Sequence, residues 1–376
     1  MIDEQVKLIV EGVDGSQWVI HGPGSGASPV RLLAGDVGEL VDAPFSTTYQ
    51  PVSGRPGSSF RAVTFPERNV VLNLNIAGDS GDGWARVDSR FRRALSPEQP
   101  ARLVAITPQS GRRWLNVRLA EHPQLKNSLD PHEQANAVMQ YVLVAGDPYW
   151  HSQELRDEFV FDGSNWVGGG VTVANPGDVP AWPKWVLTAP AKFGLPDVDL
   201  STPVDARLDR FVYLPFQPTG REVVVDADPF EELIATTDGT LLWAQMNGQF
   251  FENPIPPHTI DTVLPVYVDP FPLFPFEIPA TWRIWIAEKL RELVAALGLQ
   301  EVLAMTPEDI GTRIAQWLAG ARPDWLDPIL PETLDALTAD AIARVIRETY
   351  GRVGNIAGAT AQVRIQPRWT RPWGME

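Results

Sequence analysis

The chain has 376 residues and no cysteine. Disulfide frameworks and thiolate chemistry are therefore excluded, and the composition fits a protein assembled inside a cell. No run approaches the roughly 18–20 consecutive apolar residues that a membrane-spanning helix needs. The opening MIDEQVKLIV lacks the basic start and apolar core of a secretory signal, and reads as a strand. Positive charge is scarce: 31 Lys and Arg stand against 47 Asp and Glu, for a formal charge of −16. That balance lacks the basic footprint of a nucleic-acid binder, and an acidic wall repels DNA phosphates. The five histidines, His21, His122, His132, His151 and His258, are scattered, with no pair at helical spacing and no HExxH. This leaves no metal-site motif. A Gly-x-Ser-x-Gly nucleophile elbow is absent as well. Nothing in the chain requires an enzyme, a metal or a cofactor.

Apolar residues, at 44%, are ample for packed cores, and the length suits two or three domains rather than one. The 35 prolines and 14 tryptophans favour short strands, corners and aromatic docking surfaces.

The stretch Gln134–Trp150, QANAVMQYVLVAGDPYW, organises the first part. Met139, Tyr141 and Leu143 alternate with Val138, Gln140, Val142 and Val144, the period of a strand. Gly146-Asp147-Pro148 stops it, because proline cannot continue a ladder and glycine allows the turn. We read a first domain over 1–150, all-β with one short helix. A hairpin turns at Asp14-Gly15. Thr47–Pro56 reads as a loop, and Phe60–Phe65 as the strand partner of Asn69–Ala77. Trp84, Val87, Phe91 and Leu95 share one helical face. The Gly-rich 21–29 has no GK[ST] after it, and the Asp79/Asp82 turn lacks the spacing of a Ca²⁺ loop. Asp130–Glu133 reads as a turn. Arg112, Arg113 and Arg118 cluster on a hairpin, either as a solvated strand edge or as a contact for an acidic protein neighbour.

Seven short strand signals over 151–270 predict a second all-β unit, a sandwich. They are Asp157–Phe161, Gly170–Ala174, Trp182–Ala189, Arg207–Leu214, Glu222–Asp226, Leu241–Ala244 and Thr259–Val268. Pro180 and Pro183 place the third at a sheet edge or at its own start. Residues 271–357 read as a Pro-rich linker and a small helical bundle, capped by signals such as Thr306-Pro307-Glu308. The strand after it, near 360–369, needs a partner in the second unit, with Thr259–Val268 the simplest. The helices are then an insertion, and the second domain is 151–270 plus 358–376.

Several motifs recur in a telling order: the long strand ending in GDPYW, Asn175-Pro-Gly-Asp178 with Pro180 to Trp185, IPPHT, and PRWTRPWG at the end. This pattern resembles the distal tail protein (Dit) family of long-tailed phages, and more narrowly the minor tail proteins of phages infecting actinobacteria. The resemblance covers residues 1 to about 270 and 360–376; the helical block departs from it. It implies a mainly β protein: an N-terminal β-sandwich or split barrel forming a ring, typically hexameric, and a C-terminal galectin-like sandwich. It further implies a structural hub at the virion tail tip, assembled in the host cytoplasm, between the tail tube and tape measure proteins and the receptor-binding proteins, with a channel for DNA. On this reading Arg112, Arg113 and Arg118 are ring contacts, Tyr149 and Trp150 mark the domain junction, and acids of the first domain line the channel. The alternative is an adhesion module that stacks host-envelope sugars on Trp166, Trp182 or Trp185.

Overall fold

The computed structural model describes residues 5–33, 37–126, 130–161, 169–202, 210–218, 220–231, 233–246, 248–269 and 358–376. The helical block expected at 280–350 and Trp166 lie outside the described residues. The protein is mainly β, as its alternating apolar runs predict. It divides into two compact units: Met1–Glu154 with Pro176–Pro180 and Gln366–Glu376, and Leu155–Asn175 with Ala181–Ile365.

In the first unit one sheet runs in the order Gln17–His21, Lys7–Glu11, Ala101–Thr107, Gly111–Leu119, Asn136–Ala145, Arg68–Ala77, Val30–Leu32. It curls towards a barrel. Its longest pairing is Asn136–Ala145 against Arg68–Ala77, in antiparallel register from Asn136↔Ala77 to Ala145↔Arg68. Strand alternation sends Val70, Leu72, Leu74 and Ile76, with Met139, Tyr141 and Leu143 opposite, into the core. The helix Gly81–Ala94 begins earlier than its apolar face predicts, because the Ser80 hydroxyl caps it, accepting from the Gly83 N–H at 3.0 Å. Phe91 lies edge-on to both Trp18 and Tyr141, at 5.4 and 5.1 Å between ring centres. At Gly78, where the strand gives way to this helix, a Cβ would stand 2.1 Å from the Trp84 backbone nitrogen, so only glycine fits.

The second unit is a β-sandwich. One sheet runs Leu155–Val160, Thr360–Ile365, Pro183–Thr188, Glu222–Asp226, Ile234–Thr236; the other runs Gly169–Asn175, Thr259–Asp269, Lys192–Pro196, Phe211–Tyr213. Trp185, Leu187, Val223 and Val363 from the first share a core with Val173, Phe193, Val212 and Val266 from the second. The strand Thr360–Ile365 does not lie beside Thr259–Asp269; it pairs with Leu155–Val160 and Pro183–Thr188. Pro183 sits at the start of its strand, where a missing N–H costs nothing, and that strand is central rather than at an edge. Leu241–Ala244, expected as strand, is a 3₁₀ turn over Leu242–Gln245.

Two assignments are corrected in the first unit. Ser58–Thr64 pairs with Ser46–Pro51, read from sequence as loop, and not with the strand that follows it. The end of the chain from Gln366, expected in the second domain, belongs to the first unit, as do residues 151–154. The reason is burial. Arg368–Trp369 pairs with Trp150–His151, and both indoles enter the first core.

Candidate functional site: an exposed hairpin and a C-terminal clasp

Ser46–Pro51 and Ser58–Thr64 form a two-stranded sheet of their own, and every residue in both strands is exposed. Tyr49 and Phe60 face each other across it, with ring centres 5.9 Å apart and 56% of each residue exposed. Phe45, Val52, Val63 and Phe65 add further exposed apolar surface. A lone two-stranded ribbon is marginal in water and needs a third strand or a packing surface. A run of exposed aromatic and aliphatic side chains marks an interaction site. Local composition hid this arm. Ser, Thr, Gln and Pro read as loop, although Thr47, Tyr49 and Pro51 alternate with polar neighbours and Gly54 and Gly57 supply the left-handed turn.

The chain end forms the second feature. Arg68 and Arg113 are fully buried. Arg113 donates to the carbonyls of Arg371 and Gly374 at 3.0 and 2.8 Å and to the Glu376 carboxylate at 2.8 Å. Its guanidinium lies 3.5 Å from the centre of the Trp369 ring. Arg68 donates to Thr370 O at 2.7 Å and to Leu40 O at 3.2 Å. Burial pulls both guanidinium groups from 12.5 to about 10, partly opposed for Arg113 by Glu376 and Asp178 and for Arg68 by Glu39, Asp42 and Asp147. Both therefore stay cationic near neutrality, and the planar fork lets one side chain satisfy several acceptors at once. Asp178 accepts from the Thr370 N–H at 2.8 Å and from its hydroxyl, while Gly374 N–H donates to Ser110 Oγ at 2.9 Å. The Trp369 indole donates to Ser152 Oγ at 3.0 Å.

This clasp reassigns the basic cluster. Arg113, expected at a ring contact, is spent inside its own unit. A buried cation cannot also serve a neighbour's surface. Arg112 is exposed and donates from Nη2 to both oxygens of Glu11 at 2.8 Å, and Arg118 donates to Glu98 O at 3.3 Å. Trp150 is fully buried in the first core, shortly before that unit's first segment ends at Glu154. Tyr149 is half-buried, 5.7 Å from the Phe65 ring, with the Arg368 guanidinium 5.5 Å from its centre. Of the expected sugar platform, Trp185 is a core residue with no exposed face, and Trp182 is partly buried against the same core. Sequence reasoning missed Arg68 altogether. Its one signal was an arginine opening a strand whose buried face is otherwise apolar.

Acid should loosen the clasp. Burial works against the Glu376 charge, but the Ser110 hydrogen bond, its own backbone and Arg113 together hold its carboxyl below the ordinary 4.5. Burial likewise opposes the Asp147 charge, and His151, the Tyr149 N–H and Arg368 outweigh it, holding that carboxyl below 3.8. The unfolded chain therefore binds these protons more tightly. The stability they contribute is present above the unfolded values and lost as pH falls through the lowered ones. We expect the first unit's melting temperature to drop below about pH 4, and Glu376→Gln to flatten part of that drop in a pH series of melting curves.

Charge is unevenly divided. The first unit carries 19 Asp and Glu against 16 Lys and Arg, and the second 28 against 15. Most of the acidic excess thus belongs to the second unit, which leaves little of it for a lining built from the first. Among the described residues no group of three or more His, Asp or Glu side chains is gathered to hold a metal ion.

No family model matches the chain. The minor tail protein Gp27 of Mycobacterium phage L5 is 28% identical over 300 residues, covering 66% of this chain and 88% of the relative. Gp27 of Mycobacterium phage D29 is 26% identical over 301 residues, with the same coverage of each. Among solved structures, the Dit protein of phage SPP1 matches with a TM-score of 0.45 at 13% identity, over 70% of this chain and 98% of that one. A chain of the phage p2 baseplate in its activated, Sr-bound conformation matches at 0.41 and 10% identity, over 70% and 97%.

Proposed function

We propose that this chain, which belongs to the family of phage minor tail proteins, is the distal hub of a long non-contractile tail, and that it works as a ring of copies, six in number, at the tail tip. The protein is structural, not an enzyme. In the ring the first unit joins tail tube and tape measure proteins to the receptor-binding proteins and leaves a passage for DNA. Assembly takes place in the host cytoplasm. The observation that carries this reading is the hairpin Ser46–Thr64, whose two strands are exposed throughout and carry Tyr49 and Phe60. Cyclic assembly needs a heterologous contact, one patch against a different one. An arm outside the core, unable to hold itself together cheaply in water, fits the role of the patch laid on a neighbouring copy. The basic cluster contributes at most Arg112 and Arg118 to such a contact.

The double variant Tyr49→Ser, Phe60→Ser tests it. Negative-stain imaging and mass photometry of the wild-type protein are expected to find six-fold rings, and the variant to remain a single chain. Melting of both units should change by no more than about 0.5 kcal/mol, because surface positions away from the core rarely do more. A variant that still forms rings, or a wild-type chain that stays solitary alone and beside tail tube protein, overturns the reading.

A further inference from the structure

The hairpin and the clasp meet at one place. The arm leaves the first unit after Leu40 and Asp42 and returns through Phe65 to Arg68. Arg68 opens the next strand and binds Leu40 O at 3.2 Å, tying the outgoing root to the incoming one. The same guanidinium binds Thr370 O at 2.7 Å, and the next residue, Arg371, pairs with Asp42 at 2.9 Å. Glu39 reinforces the root, its N–H donating to Asn69 O at 2.9 Å and its carboxylate accepting from the Asn69 N–H at 2.7 Å. Phe65 packs near Tyr149, over which Arg368 lies. Three residues of the chain end, Arg368, Thr370 and Arg371, therefore grip both roots of the arm or the ring beside them.

From this juxtaposition we infer that residues 366–376 are a latch that sets the posture of the hairpin and so licenses the chain to assemble. Until they dock, Arg68 lacks the Thr370 acceptor and Arg113 lacks all three of its acceptors, each in a buried place. A buried cation without acceptors is strongly unfavourable, so the seat stays open to water until the latch closes. A chain in which residues 366–376 are undocked then presents a loose arm, and an arm not held in its binding posture assembles poorly. Control of this kind suits a ring, where one copy with a loose arm spoils every neighbour. The latch rests on the ring reading above, and its test separates the two.

Hydrogen exchange and mass photometry are run on the wild-type chain, on a chain ending at Trp369, and on full-length Arg371→Ala. Amides of residues 37–42 and 65–71 are expected to exchange about tenfold or more faster in the truncated chain and about twofold to fivefold faster in Arg371→Ala, whose ion pair with Asp42 is exposed, with Val223–Val225 of the second unit unchanged. Assembly should weaken by about twofold to fivefold in Arg371→Ala and by about tenfold or more in the truncated chain. A synthetic peptide of residues 366–376 added in trans should slow exchange at the roots of the truncated chain. If that chain loses protection throughout its first unit, Arg371→Ala decides, and charge exchange by Asp42→Arg with Arg371→Asp should restore the roots. Root exchange unchanged in Arg371→Ala, or loosened roots with unimpaired assembly, overturns the latch. If the wild-type chain never assembles, the ring reading fails; if it assembles and the variants equal it, the latch alone fails.

Discussion

Arg113→Ala is expected to lower the stability of the first unit by about 3–5 kcal/mol, the upper range for a single substitution. The side chain is fully buried, and its guanidinium satisfies two carbonyls and one carboxylate while lying against the Trp369 ring. Removing it leaves the Arg371 and Gly374 carbonyls without a donor and opens a void beneath an indole. Arg113→Lys keeps the charge but loses the fork and the flat stack, and should cost about 1–3 kcal/mol. Arg112, its neighbour in sequence, supplies the control. It is exposed and pairs with Glu11 in solvent, so Arg112→Ala should cost less than about 1 kcal/mol. Calorimetry can separate the transitions of the two units, with hydrogen exchange assigning each, because a two-unit chain need not melt in one step. An unshifted first-unit transition in Arg113→Ala would show that the clasp contributes nothing to the fold.

Trp185→Ala should act on the other unit, lowering its stability by about 3–5 kcal/mol and leaving the first transition in place. Trp185 has no exposed surface and sits in the strand Pro183–Thr188 opposite Val363 and Val225. Its loss leaves a cavity between two sheets that few small movements can fill. Trp182→Ala, at a partly buried position, should cost well under half as much. The pair distinguishes a core indole from a sugar platform: a platform residue would change glycan binding and leave melting alone. A Trp185→Ala protein that melts like wild type would return this indole to the surface and reopen the adhesion reading.

Much of the architecture was legible because it depends on local periodicity. The alternation of Val70 to Ile76 and of Met139 to Leu143 forces those side chains to one face whatever lies opposite. The apolar stripe ending at Phe91 likewise forces a helix to lie down on them. Turn-separated strand signals after Gly146-Asp147-Pro148, six of the seven lying on strands, were enough for a second β unit. The motifs from GDPYW to PRWTRPWG carried the resemblance to phage tail proteins, and the similar curated proteins are minor tail proteins of mycobacteriophages.

Partnership between distant segments was not legible. Ser46–Pro51 is a strand because Ser58–Thr64 pairs with it, and neither segment carries enough apolar pattern to announce the other. Arg113 and Arg112 are adjacent and chemically identical, yet one is buried against the chain end and the other is exposed and paired with Glu11. Only the pleat and the docking of Trp369 separate them. The chain end itself looked like the close of a second domain because sequence order places it there, whereas burial of two indoles and two guanidinium groups assigns it to the first unit. What the amino acids determined unaided was the set of elements and the face each must bury, since these follow from the period of one segment. Which segments meet, and hence where arm, latch and core lie, was decided by tertiary packing, because the free energy of a buried charge or ring depends on neighbours far away along the chain.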